Sequence, residues 1–332
     1  MQKNIEFLGK DLLMFKRILI SSAVAVLVAA CGSSSDQEDI GTSNAESSST
    51  HLGWTYEELQ PLNIPGVSPE VISENGTIYL YSTDMGIKLY KSTDGINFEQ
   101  VANAKMPMAA DPTIIKTSDG KWNLYVTEVM MNGPKPEPGQ APQPMDPKKT
   151  QKIVKVSTSD SLENFGPGVE TGIVQAKPGA AWGVPDTTVD PTGKIRMFWV
   201  DMDEGDKWES IKSGTSSDGI TFTVDEGIRF TDAYVDPYVL KAQEGDWVML
   251  LSTTPAKERL PQKFYLAWST DGMSWKVDSE PLIDNPDKNY LDPTAYEISP
   301  GVWRVYVSTS DKANAIGGPY SLETFILKAP IK

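Results

Sequence analysis

From Ser68 to the C-terminus the chain alternates short runs of aromatic and β-branched residues with polar, glycine-bearing turns, and the alternation repeats five times. Each repeat begins at a proline: Ser68-Pro69, Asp111-Pro112, Pro185-Asp186, Asp236-Pro237 and Asp292-Pro293. A turn glycine follows seven to nine residues later, at Gly76, Gly120, Gly193, Gly245 and Gly301. A β-rich run comes next, TIYLYST from Thr77, KWNLYVT from Lys121, KIRMFWV from Lys194, DWVMLLST from Asp246 and VWRVYVST from Val302. Such runs, bounded by Asn-Gly, Asp-Gly or Pro-Gly, predict hairpin strands.

A third strand leads in three repeats to a second turn, Ser92-Thr93-Asp94-Gly95 with Phe98, Ser217-Asp218-Gly219 with Phe222, and Ser269-Thr270-Asp271-Gly272 with Trp275. Weaker copies run from Asp160 to Phe165 and from Tyr320 to Phe325. Five units of four antiparallel strands, closed in a ring, give an all-β fold, a five-bladed β-propeller with few exposed strand edges. The last unit is one strand short. Leu52 to Glu58, with Trp54 after Gly53, can supply that strand and latch the ring. The second-strand aromatics Tyr79, Trp122, Phe198, Trp247 and Trp303 are expected between blades as core.

The chain ahead of the repeats reads differently. Lys16 and Arg17 precede an apolar run from Ile18 to Ala30 that ends Val28-Ala29-Ala30-Cys31. The run is short of the roughly 20 residues a membrane span needs and reads as a signal peptide over 1–30. The small residues before Cys31 resemble a bacterial lipobox, which implies lipidation at Cys31, a membrane anchor and a cell-envelope address, with Gly32 favouring the outer membrane. Met14 is an alternative start to Met1. Residues 31–50 are Ser-rich and acidic and predict a disordered tether reaching about 25 Å. Residues 51–332 then form the propeller. Cys31 is the only cysteine, so no intramolecular disulfide forms. The formal charge of −15 becomes −17 once the leader, with four basic and two acidic residues, is removed. That balance argues against a nucleic-acid partner. A monomer is expected.

Strand order assigns the candidate chemistry to one face. If the innermost strands start at one rim, the loops between second and third strands return to it and the turn glycines lie opposite. Asp111, Asp186, Asp236 and Asp292 then surround the channel mouth, Ser68 takes the fifth place, and Glu70 lies one step deeper. Carboxylates gathered at one axis repel, which raises some pKa values and separates acid from base roles. The ring suits a hard cation such as Ca²⁺ equally well. A third reading is architectural, with Asp before Pro bonding nearby backbone N–H groups. Around the mouth, Trp182, Tyr234, Tyr238, Tyr290, Trp208 and Arg259 are candidate substrate contacts, and a segment from Asn132 with six prolines is a candidate wall.

The Asp-Pro starts, glycine turns, YLYST-like strands and S-x-DG-x-x-F/W turns together resemble the arabinanase and β-fructosidase superfamily, glycoside hydrolase families 43 and 32. The resemblance spans nearly all of residues 52–332 and implies a carbohydrate ligand. It implies an Asp base or nucleophile on blade one, a tuning Asp on blade three and a Glu acid on blade four. By position Asp186 matches the blade-three Asp. Asp236 stands where the Glu is expected and Ser68 where the blade-one Asp is expected, so Glu70 or Asp111 would have to substitute as base. Hydrolysis needs two carboxyl groups at a set separation, and these departures leave two readings open: a glycoside hydrolase with Asp186, Asp236, Asp111 and Glu70 as its catalytic groups, or a glycan-binding or assembly propeller without turnover. The S-x-DG turns also resemble sialidase Asp-boxes, but that fold has six blades and three carboxylate-gripping arginines. The lone histidine, His51, and absent free cysteine disfavour zinc, and no cofactor is required.

Overall fold

The computed structural model describes residues 53–130, 150–180 and 182–330. The leader, Cys31, the tether and most of the proline-rich segment lie outside the described residues.

Five four-stranded antiparallel sheets form the blades of a β-propeller. Blade one comprises β2 (Val67–Glu74), β3 (Thr77–Thr83), β4 (Ile87–Ser92) and β5 (Glu99–Gln100); blade two β6 (Ala110–Lys116), β7 (Trp122–Val129), β8 (Lys152–Ser159) and β9 (Val169–Val174). Blade three comprises β10 (Gly183–Val189), β11 (Ile195–Asp201), β12 (Ser210–Ser216) and β13 (Thr223–Val224); blade four β14 (Tyr234–Gln243), β15 (Asp246–Thr253), β16 (Phe264–Ser269) and β17 (Trp275–Val277). Blade five takes β18 (Lys288–Ser299), β19 (Val302–Asp311) and β20 (Ser321–Lys328), and its outer strand is β1 (Thr55–Pro65), which pairs antiparallel with β20. The N-terminal strand thus closes the ring, as the missing strand of the fifth repeat requires. Trp54 stacks on Trp303 with centroids 5.5 Å apart, and Tyr56 meets Phe325 edge-on, so the latch is apolar as well as hydrogen-bonded.

The core is divided among the blade seams. Five separate apolar clusters lie between successive blades; Tyr81, Leu89, Trp122 and Leu124 fill the first seam, and Phe198, Trp247 and Met249 the third. Second-strand tyrosines also reach across the seams. The hydroxyl groups of Tyr81, Tyr125 and Tyr306 donate to the carbonyls of Leu162, Gly219 and Gly95 in the following blade, at 2.6, 2.7 and 2.9 Å. Gly95 is required there, because a Cβ would come within 3 Å of the Tyr296 and Tyr306 hydroxyls and of Arg304. The S-x-DG turns are locked by their own side chains. In the first, the N–H of Gly95 donates to Ser92 Oγ and the N–H groups of Ile96 and Asn97 donate to Asp94 Oδ1. A five-bladed ring with these turns on its outer hairpins excludes the six-bladed sialidase fold.

Candidate functional site

The site grows from one local irregularity repeated in every blade. Where each innermost strand starts, one extra residue is inserted against its partner: Val67 pairs with Thr83 and Glu70 with Tyr81, so three steps on β2 oppose two on β3. The same bulge recurs in the other four blades. The bulged residues are Ser68, Asp111, Val184, Asp236 and Asp292, all at φ between 46° and 54°, and proline follows each. Proline suits this place because it has no N–H to leave unpaired.

The bulges stack side chains in two layers around the axis. The mouth layer is Ser68, Asp111, Val184, Asp236 and Asp292; two residues on, the deeper layer is Glu70, Thr113, Asp186, Tyr238 and Thr294. Asp186 therefore does not sit at mouth level with the other aspartates, as the repeat suggests. Its blade reads Val184-Pro185-Asp186, so aligning the prolines puts Val184 at the bulge and Asp186 beside Glu70.

Both layers staple one blade to the next. In the mouth layer, Asp111 accepts the N–H of Val184 at 3.3 Å, Asp236 that of Asp292 at 3.4 Å, and Asp292 that of Ser68 at 3.1 Å. Ser68 Oγ lies 2.9 Å from Asp111 Oδ1 and 3.2 Å from Asp292 Oδ2. Val184 has no acceptor, and the circuit is broken there. The deeper layer is complete. Glu70 accepts from Ile114 N–H at 2.9 Å, Thr113 from Thr187 at 3.1 Å, Asp186 from Val239 at 2.8 Å and Thr294 from Val71 at 3.1 Å, while the Tyr238 hydroxyl donates to the Ala295 carbonyl. Thr294 Oγ1 also donates to Glu70 Oε2 at 2.9 Å.

These bonds take place in a desolvated setting without a cationic side chain in the lining. Ser68, Pro69, Glu70, Asp111, Pro112, Val184, Pro185, Asp186, Pro237, Tyr238, Asp292 and Pro293 line a narrow funnel of about 10 Å³, with no lysine or arginine among them. Ser68, Asp236 and Asp292 are 4–6% exposed, and only Asp111 in the polar part of the mouth layer is half-buried. Burial pushes Glu70 up to about 8, with Asp186 adding to the rise, and it raises Asp186 to about 7. Asp236 rises to about 6, again through burial. Asp292 is also raised, by burial and then by the neighbouring Asp236 carboxyl. Among the described residues no three of His, Cys, Asp and Glu are grouped so as to hold a metal ion. One oxygen each of Asp111, Asp236, Asp292, Glu70 and Asp186 accepts an amide hydrogen of a neighbouring blade.

Around the mouth the aromatic candidates divide. Trp182 and Tyr290 are 4% and 2% exposed and belong to the seam clusters, which makes them core and not displayed platforms. Tyr238 is committed to the deeper staple. Tyr234 stays half-exposed against Phe230 and Tyr265. Trp208 is half-exposed between Lys207, whose Nζ is 4.3 Å from the ring, and Arg259, at 5.9 Å, while Arg259 pairs with Asp232. No arginine lines the funnel: Arg196 pairs with Asp225, and Arg229 donates to the Glu226 and Met273 carbonyls. Sequence reasoning missed Thr113, Thr294 and the direction of the staples. Thr113 and Thr294 each follow an Asp-Pro pair directly, which is the signal that could have found them.

On the opposite face the same channel is wider, about 360 Å³, walled by Val71, Ile114 and Val239 together with Ser73, Thr188 and Glu297, and it too ends on Glu70 and Asp186.

Solved structures share this architecture. A thermostable family-43 glycoside hydrolase superposes with a TM-score of 0.58 at 15% identity, over 80% of this chain and 89% of its own. The endo-arabinase from Bacteroides thetaiotaomicron VPI-5482 gives 0.58 and 15%, over 83% and 99%. An exo-1,5-alpha-L-arabinanase from a bovine ruminal metagenomic library gives 0.54 and 12%, over 80% and 94%. No family model and no curated protein matches the chain. The fold is that of the five-bladed propellers among family-43 glycoside hydrolases and arabinanases.

Proposed function

We propose that this propeller holds a carbohydrate at its mouth face and does so without cleaving it. A saccharide ligand is supported by the fold shared with family-43 glycosidases and by a rim that carries Asp111, Trp208, Tyr234 and Arg259 within solvent reach. Binding over hydrolysis rests on one observation: of the mouth-layer carboxyl groups, only Asp111 is more than marginally exposed, and Asp236 and Asp292 are spent on each other and on inter-blade amides. Glycoside cleavage requires two carboxyl groups flanking the bond, and a substrate reaching this funnel meets one. A glycan array probed with wild type and with Asp111→Asn tests the site; saccharide binding that weakens at least tenfold in the variant supports it, and binding indifferent to Asp111 removes it.

Hydrolysis is the second reading, favoured by the Asp236–Asp292 pair, two buried carboxyl groups held together with their pKa values raised by burial, as an acid requires. In that arrangement Asp111 acts as base and the pair as acid.

We also propose that Cys31 is lipidated and the propeller tethered to a bacterial envelope membrane. Metabolic labelling with a fatty-acid analogue, lost in Cys31→Ser, is the outcome expected; label retained in the variant contradicts it.

A further inference from the structure

Far from the mouth, two arginines converge on a sulfur atom. Met273 lies in the turn between β16 and β17. Arg196 Nη1, from β11, is 3.3 Å from its sulfur, and Arg229 Nη1, from the segment joining blades three and four, is 3.1 Å away. The same Arg229 nitrogen donates to the Met273 carbonyl at 3.3 Å, and Asp225 holds Arg196 in place. A thioether is a weak acceptor, so two charged donors face a poor partner. The Nε–H of Arg229 is in addition buried with no hydrogen-bond partner, and that of Arg196 faces the Asp190 carboxylate at 3.9 Å. Arg229 is 7% exposed, deep in the seam, whereas Met273 is half-exposed on the turn.

Oxidation changes the acceptor. A two-electron oxygen donor such as hydrogen peroxide transfers one oxygen atom to a sulfur lone pair; the O–O bond breaks, an S–O bond forms, the sulfur loses two electrons and water leaves. The sulfoxide oxygen is a strong acceptor. In an apolar core it would lack partners and destabilise, but here cationic donors from blade three and from the joining segment already point at the site. We propose that Met273 is an oxidation site whose sulfoxide is held by Arg196 and Arg229, fastening blades three and four together where sulfoxide formation ordinarily loosens a fold. Met197 and Met249, fully buried, offer a peroxide no access, and Met85 and Met108, 66% and 83% exposed, would carry sulfoxides bathed in water.

The test treats the purified protein with hydrogen peroxide, maps oxidation by peptide mass and compares melting with a Met273→Leu variant treated in parallel, which cancels the other methionines. Met273 is expected to convert with Met85 and Met108, and oxidation should raise the wild type against the Leu variant by about 2 °C or more. Met273→Gln, which carries a fixed carbonyl oxygen, should melt at or above the untreated wild type. A relative fall on oxidation, a Met273 still reduced when Met85 and Met108 are fully converted, or a Gln variant that melts lower, overturns the proposal. The mapping and the Gln variant stand whether or not the Leu variant folds.

Discussion

Glu70 Oε1 accepts the backbone N–H of Ile114, one blade further round the ring, at 2.9 Å. Its other oxygen accepts from Thr294, in the last blade, at 2.9 Å. One side chain therefore ties three blades, and it does so at 6% exposure. Glu70→Ala strands a buried amide and a buried hydroxyl and should cost about 2–4 kcal/mol. Glu70→Gln keeps an acceptor for Ile114 and should unfold near the wild-type midpoint at pH 6. Urea denaturation monitored by tryptophan fluorescence separates the two.

Stability should fall as the solution becomes alkaline. Glu70, Asp186 and Asp236 have folded-state pKa values raised to about 8, 7 and 6 by burial. The native state therefore binds more protons than the unfolded chain between about pH 4 and 8, and unfolding free energy decreases with pH across that window. The contribution is fully present below the unfolded carboxyl range and is lost as each group ionises. Melting temperature at pH 8.5 should lie several degrees below that at pH 5.5. Glu70→Gln should flatten the upper part of the curve.

Val184 is the strained member of the mouth layer. A β-branched residue at φ 46° is a steric outlier, where Asp, Asn or Gly is at ease, and the strain is of order 1–3 kcal/mol. Val184 is also the one mouth position without an acceptor for the next blade. Gly183 before it, at φ 118°, must stay: a Cβ there would lie 2.7 Å from Asp111 Oδ2. Val184→Asn relieves the strain and offers a carbonyl toward blade four, so it should raise the melting temperature by about 2 °C or more. Gly183→Ala should lower it.

The latch is apolar, and it should break at one residue. Trp54 is 6% exposed and stacked on Trp303. Trp54→Ala should cost about 3–5 kcal/mol and free β1 to exchange its amide hydrogens early, leaving β20 as an open strand edge. Hydrogen exchange over β1 and β20, against blade three as internal reference, reads the effect.

The fold was legible because its repeat is written in strong local chemistry: Asn75-Gly76 takes φ of 51° and 77° as a tight hairpin demands, and the fifth repeat, one strand short, announced the N-terminal strand. The site was less legible because Asp-Pro looks the same whether its carboxylate serves a ligand or a neighbouring amide. Asp186 was misplaced by one layer for a related reason. Sequence spacing marks the proline, but only the bulge decides which side of it faces the axis. Tyr290 and Trp182 carry no mark that separates a seam filler from a platform.

Incubating wild type with a panel of oligosaccharides and aryl glycosides that includes those retained on the glycan array, and counting new reducing ends, shows whether the saccharide site lacks a second reachable carboxylate. None should appear above a protein-free control, with binding weakened in Asp111→Asn. Reducing ends that accumulate with wild type and disappear with Asp111→Asn or Asp292→Asn would contradict it.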